Sequence, residues 1–337
     1  MRIKTLLSLM KNGQLTLLLK LSSWANKFYK LSYIAALFEN GFAEYLSSGA
    51  KSLDELSELL NIGPDARDAL EAWLQVGVRL RVLKIVEGRY VLIGLSAQLT
   101  RPENDALLAI IQEITTLHHK LILDTPNRLQ AGDLWTLQDQ EGALIARSSR
   151  IVEPLQYEVI ESYFPSDGAV RLLEIGCGSG IYIKYAAEHN SQLTAIGVEM
   201  QDDVVTMARE NIVKWGLQER VRILQGDIRA LSFDKAFDIV TLYNNIYYFP
   251  VVERVHLLKK LLHLLNPGGS LILTTACQGG QPLSELLNLW GASTAGGGRL
   301  PYVDEMVKQM ETAGFEKVQK KRLLPGDSFY VFVGYRP

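Results

Sequence analysis

Apolar residues recur along this chain at two different periods, and the change of period divides it. From Tyr29 to Leu46 they fall at helical spacing, at Leu31, Ile34, Ala35, Leu37, Phe38, Phe42 and Leu46. That segment is expected to be one helix with a buried face. Ser52 stands three residues before Glu55, the spacing at which two side chains cap a helix's first turn. Leu53, Leu56, Leu59 and Leu60 supply the apolar stripe behind it. Asn61-Ile62-Gly63-Pro64 then breaks the chain, and Asp65–Leu80 reads as a third helix. Val82–Ile85 and Arg89–Ile93 read as short strands around Glu87-Gly88.

Helices followed by a hairpin are the order of a winged helix-turn-helix. Asn104–Leu123 is strongly apolar-periodic, while 124–142 is polar. A helix is expected from Gly142 through Tyr163, kinked or restarted at Pro154. From residue 170 the pattern alternates. Strands are expected at Val170–Ile175, Thr194–Val198, Val221–Gln225, Phe237–Tyr243 and Ser270–Thr275. Helices are expected at Tyr182–His189, Val204–Trp215, Val251–Leu265 and Val303–Ala313. Such alternation implies an α/β fold, a parallel sheet with helices on both faces. Lys317–Leu323 and Phe329–Gly334, joined through Pro325-Gly326-Asp327, add an antiparallel terminal hairpin.

Charge narrows the partners. Lys plus Arg number 35 against 37 Asp plus Glu, so no overall field draws a polyanion. The third helix opens with Asp65, Arg67, Asp68 and Glu71. A helix entering a DNA groove does not lead with carboxylates, so no nucleic-acid partner is expected. Cys177 and Cys277 are too few for a disulfide framework or a four-thiolate zinc site, and a cytoplasmic setting is expected. No His, Asp or Glu cluster has metal-ligand spacing, and no metal is expected. The apolar start is cut by Lys11, Asn12, Gly13, Gln14 and Lys20. It reads as an amphipathic helix that packs on this chain or on a second copy. No run of ~18 unbroken apolar residues occurs, so no membrane-spanning helix is expected.

The chemistry concentrates after the first strand of the alternating region, at Glu174-Ile175-Gly176-Cys177-Gly178-Ser179-Gly180. A buried strand feeds a glycine-rich turn that opens a helix, and ligands of open parallel sheets bind at such strand ends. A dinucleotide fingerprint would need Gly at position 181, where Ile stands. Glu174 suits a cationic ligand better than a pyrophosphate. Glu199 ends the second strand, at the distance where an acid meets ribose hydroxyls. Asp227 follows the third, placed to accept from an exocyclic amine. Arg150, on the helix expected above the strand ends, suits a carboxylate.

Here the chain resembles the class I S-adenosylmethionine-dependent methyltransferases. The Glu-Ile-Gly-Cys-Gly-Ser-Gly segment is similar to their first motif, and the resemblance covers residues ~145–337. It implies a Rossmann-like class I methyltransferase sheet with S-adenosyl-L-methionine as cofactor. It puts Glu174, Gly176, Gly178, Gly180, Glu199, Met200, Asp227, Ile228, Asn244 and Arg150 at the cofactor. A resemblance over the whole chain is to the small-molecule O-methyltransferases, through Gly296-Gly297-Gly298-Arg299 and Ala313-Gly314-Phe315. It implies a winged-helix dimerisation domain at 1–100, a helical cap at 101–145, a methyltransferase domain at 146–337, and a homodimer. Where that family keeps a basic His, Asn244-Asn245-Ile246-Tyr247-Tyr248-Phe249 puts Tyr247. Tyr247 is thus the candidate catalytic residue, as a hydrogen-bond orienter or as aromatic wall. Tyr157, Tyr248 and Trp290 are the expected substrate contacts. The implied reaction is proximity-driven methyl transfer to an oxygen of a small secondary metabolite, with carbon, nitrogen or a carrier-bound intermediate as alternative acceptors.

Overall fold

The structure is a computed structural model that describes residues 10–234 and 236–337. Residues 1–9 of the expected amphipathic start lie outside the described residues. The chain divides into two compact units, with the boundary between Thr116 and Leu117.

In the first unit, α1 (Gln14–Glu39) and α2 (Phe42–Ser47) replace the single helix expected from Tyr29 to Leu46. The break falls at Asn40-Gly41, where Gly41 takes a left-handed conformation. Ser52 and Glu55 form the expected capping box on α3 (Leu53–Leu59). Then come α4 (Arg67–Arg79) and the antiparallel pair β1 (Leu83–Val86) and β2 (Arg89–Leu92). Ile34, Leu37, Leu56, Leu74 and Leu83 are at most 1% exposed and form the centre of this unit's core.

α5 (Asp105–Glu113) continues through a π turn (Ile114–His118) into α6 (His119–Ala131). By length and composition alone, the stretch Pro102–Ala131 could cross a bilayer. The expectation of no such stretch rested on unbroken apolar runs, and this one is broken at Glu113 and Lys120. Its buried Leu108 and Ile111 belong to the core of the first unit, and Leu117 and Leu121 to that of the second.

The second unit continues with α7 (Gly142–Ser148), a 3-10 turn (Ser149–Val152) and α8 (Glu153–Tyr163). Pro154 sits in the first turn of α8, where its missing N–H costs nothing, so it restarts the helix. The sheet consists of β3 (Arg171–Ile175), β4 (Thr194–Glu199), β5 (Val221–Gln225), β6 (Phe237–Tyr243), β7 (Leu265–Ala276), β8 (Glu316–Arg322) and β9 (Phe329–Tyr335). Its order is β5-β4-β3-β6-β7-β9-β8. The first five strands run parallel, and β9 is antiparallel to both β7 and β8. The expected helix after β6 is shorter, α11 (Arg254–Leu264), because Val251–Glu253 form a 3-10 turn before it and β7 begins at Leu265.

α9 (Ile181–His189) and α10 (Asp202–Lys214) cover one face of the sheet with α8. α11 and α13 (Val303–Ala313) cover the other. Alternate strand residues point to opposite faces. Leu173, Ile175, Val240 and Leu242 therefore join the α11–α13 core, and Leu172 and Ile239 join the other. Glu174 pairs in register with Thr241 and falls on the same face as Leu172. α12 (Pro282–Ser293), between β7 and α13, brings Trp290 into the α8–α10 core.

Candidate active site

The sheet reverses its build direction between β3 and β6, and a cleft opens at the carboxyl ends of these strands, as expected at a topological switch point. Its floor is the glycine turn. The N–H groups of Gly176 and Cys177 both donate to the Val198 carbonyl, at 2.8 and 3.1 Å. Gly176 and Gly178 sit at φ 63° and 53°, the left-handed region that disfavours a side chain. A Cβ at Gly178 would meet no atom within 4 Å, whereas one at Gly176 would strike the Asn245 side chain. Gly178 therefore presents bare backbone to open space, and Gly176 is needed for internal packing.

Glu199, at the end of β4, organises this floor. One carboxylate oxygen accepts from the Gly178 N–H at 3.1 Å. The other accepts from Met200 and Gln201 at 2.7 and 3.2 Å. Asp227, after β5, accepts from the Arg229 guanidinium, with Nε at 3.1 and 2.9 Å from its two oxygens and Nη2 at 2.7 Å from one of them. That pairing holds its carboxyl below the usual range. Arg229 also reaches Glu253 at 3.1 Å.

After β6, Asn244 turns at φ 53° with its N–H on the Thr274 carbonyl at 2.7 Å. Asn245 donates its side-chain amide to the Ile175 carbonyl and ties the end of β6 to β3. The following 3-10 turn holds Tyr247, 4% exposed, with its ring centroid 4.6 Å from that of Tyr248. Leu137, Gln140, Ile145, Ser149 and Arg150 form the opposite wall, and Gln140 approaches the Tyr248 hydroxyl at 3.5 Å.

Ten of the expected residues line this one cleft: Gly176, Gly178, Glu199, Met200, Asp227, Ile228, Asn244, Arg150, Tyr247 and Tyr248. Four do not. Glu174 lies beneath the floor, 1% exposed, because β3 points it into the α8–α10 face of the sheet. Burial pushes its carboxyl well above the ordinary value, and both oxygens lack a protein partner. Gly180 caps α9, and its Cβ direction faces Ile212 and Trp215 in ordinary van der Waals contact. Tyr157 turns away to Glu153, and Trp290 is 3% exposed in the core, tilted against Trp135 at 6.3 Å. The cleft also contains residues that sequence reasoning passed over: Tyr182, Tyr243, Gln140, Gln201, Asn245 and Arg229. Tyr182 and Tyr243 could have been found by position, one residue into the helix after the glycine turn and at the last position of β6.

A glycine turn after the first strand, acids at the next two strand ends and an antiparallel seventh strand define the class I methyltransferase fold. Residues 172–269 match the family model described as a methyltransferase domain. Demethylspheroidene O-methyltransferase of Rhodobacter capsulatus is 23% identical over 88% of this chain and 77% of its own length. Cypemycin N-terminal methyltransferase of a Streptomyces species is 30% identical over 34% of this chain, and the chain spans only 44% of that relative. Among solved structures, the mitomycin 7-O-methyltransferase MmcR superposes with a TM-score of 0.78 at 16% identity, covering 96% of this chain and 99% of that one.

Proposed function

We propose that this chain transfers a methyl group from S-adenosyl-L-methionine to an oxygen of a small secondary metabolite. The observation that carries the reading is the pairing of a bare glycine backbone at Gly178 with the Glu199 carboxylate in one cleft. The residues fit that cofactor. The Gly178 Cβ direction is open, the buried Tyr243 hydroxyl and the Asn244 side-chain oxygen Oδ1 lack protein partners, and Met200 is a half-exposed apolar neighbour of Glu199. S-adenosylmethionine supplies a methyl group already activated on a sulfonium. Glu199 accepts from the ribose hydroxyls, Asp227 from the adenine amine, and Arg150 holds the cofactor's carboxylate.

Tyr247 and Tyr248 wall the acceptor end and exclude water, and Tyr247 orients the acceptor by its hydroxyl. Among the described residues no histidine lines the cleft. Alignment of the acceptor in a desolvated pocket therefore carries the rate, out of the ~7–11 kcal/mol that proximity can supply.

The same reading assigns residues 1–100 as a winged-helix dimerisation domain, 101–145 as a cap and 146–337 as the transfer domain, in a cytoplasmic homodimer. Leu17, Leu21, Trp24 and Phe28 support the dimer. Their spacing puts them on one side of α1, and each is 44–66% exposed in the single chain. Incubation with methyl-labelled cofactor and a panel of phenolic and carboxylic metabolites tests the assignment. Mass spectrometry should find the label on oxygen of a small molecule. Label appearing only on protein or nucleic acid would refute it.

A further inference from the structure

Tyr157, expected at the substrate, belongs instead to a half-buried cluster in which Glu153, Tyr157 and Tyr185 have no part in the proposed reaction. Its centre is Glu153, the first residue of α8, whose side chain is 13% exposed. One Glu153 carboxylate oxygen accepts from the hydroxyls of both Tyr157 and Tyr185, the latter at 2.6 Å. The other accepts from Arg150 Nε at 2.8 Å. Burial, then the hydrogen bond to Glu153 and its charge, push the Tyr185 hydroxyl up, so it stays protonated and donates. The cluster links one wall of the cleft to the helix that follows its floor. Arg150 lies in the 3-10 turn of that wall, and Tyr185 lies on α9, the helix that the glycine turn opens.

We propose that Glu153 is a positioning residue that fixes the Arg150 guanidinium relative to the glycine turn for the carboxylate end of the cofactor. The inference rests on the reading in which Arg150 grips that carboxylate. A guanidinium is a planar fork, so anchoring it at Nε sets the direction in which it meets a planar anion. Glu153 itself does not line the cleft, so its influence passes through Arg150.

Calorimetric titration with S-adenosylhomocysteine tests this on the wild type, Glu153→Gln, Arg150→Gln and the double variant, each checked for folding by thermal melt. Glu153→Gln should weaken binding about tenfold, the lower end for a charge-assisted hydrogen bond. In the Arg150→Gln background the same substitution should change affinity by less than about twofold, since coupled residues are not additive. Tyr185→Phe, which keeps the ring, should weaken binding less and lose its effect in the same background; it replaces Glu153→Gln if that variant does not fold. Unchanged affinity in the Glu153 and Tyr185 variants, or full additivity with Arg150→Gln, overturns the proposal, as does an Arg150→Gln that binds like wild type. A wild type that binds no S-adenosylhomocysteine would instead sink the methyltransferase reading itself.

Discussion

Gly178, Glu199 and Tyr247 have separate parts in the proposed site, and each can be changed separately. Gly178 combines a left-handed backbone with open space on its Cβ side. Gly178→Val should both strain the turn, by about 1–2 kcal/mol for a residue with a Cβ, and fill ligand space. Cofactor affinity is expected to fall at least tenfold, and calorimetry on the folded variant checks it. The Glu199 carboxylate accepts three backbone N–H groups, and in the proposed complex it also accepts from the ribose. Glu199→Ala should weaken cofactor binding by roughly 1.5–3 kcal/mol, the range for hydrogen bonds to charged groups. A loss below about 0.3 kcal/mol would transfer that role to another residue. Tyr247→Phe should retain activity within about thirtyfold, because one neutral hydrogen bond is worth near 1 kcal/mol and a general base 10²–10⁴-fold. Single-turnover rates with the true acceptor decide. A drop beyond a thousandfold with cofactor still bound would make Tyr247 the acid-base group.

The elements follow from local rules where those rules are strong, and depart where packing overrides them. The capping box at Ser52 and Glu55 is readable because both partners lie within one turn. The Arg89 hydrogen bond and then the Ser52 N–H hold the Glu55 carboxyl down from 4.5 to about 2. A lowered carboxyl stabilises the fold above its unfolded value and loses that contribution as pH falls. The first unit should therefore lose stability from pH 4.5 towards 2, and Glu55→Gln should flatten that part of the melting profile. A variant that melts with the same acid dependence would contradict it.

β7 runs from Leu265, through residues that read as a helix stop, rather than from the expected Ser270, while β3–β6 were equally plain, since each is a short, mostly apolar run between turns. The break between α1 and α2 was not, because Leu37 and Phe42 keep one helical stripe while Gly41 reverses the backbone. In the site, the acids at the ends of β4 and β5 are legible from sequence, and so is Arg150 on the opposite wall, whereas sequence reasoning passed over Tyr243 at the end of β6 and Gln140 on that wall. Gln140 meets Tyr248 across 108 positions of sequence, and no local pattern encodes that approach. Glu174 was placed in the cleft by its motif, but the two-residue alternation of β3 turns it into the sheet's interior. Trp290 is a large apolar residue whose pocket-facing and core-facing roles have the same spacing.

In the molecule as a whole, α1 leaves Leu17, Leu21 and Trp24 exposed, and the proposed dimer would cover them. Leu21→Glu together with Trp24→Glu, both on the exposed side of α1, should convert a dimer into a monomer in light scattering while leaving cofactor affinity unchanged. A dimer that persists would place the interface elsewhere. The glycine turn of β3 and the acid of β4 are proposed to hold S-adenosylmethionine, and calorimetric titration of the purified chain with that compound measures this most directly. A single site per chain, lost at least tenfold in Gly178→Val, is the expected result. Absence of binding to the wild type, or equal affinity in a folded Gly178→Val, would contradict it.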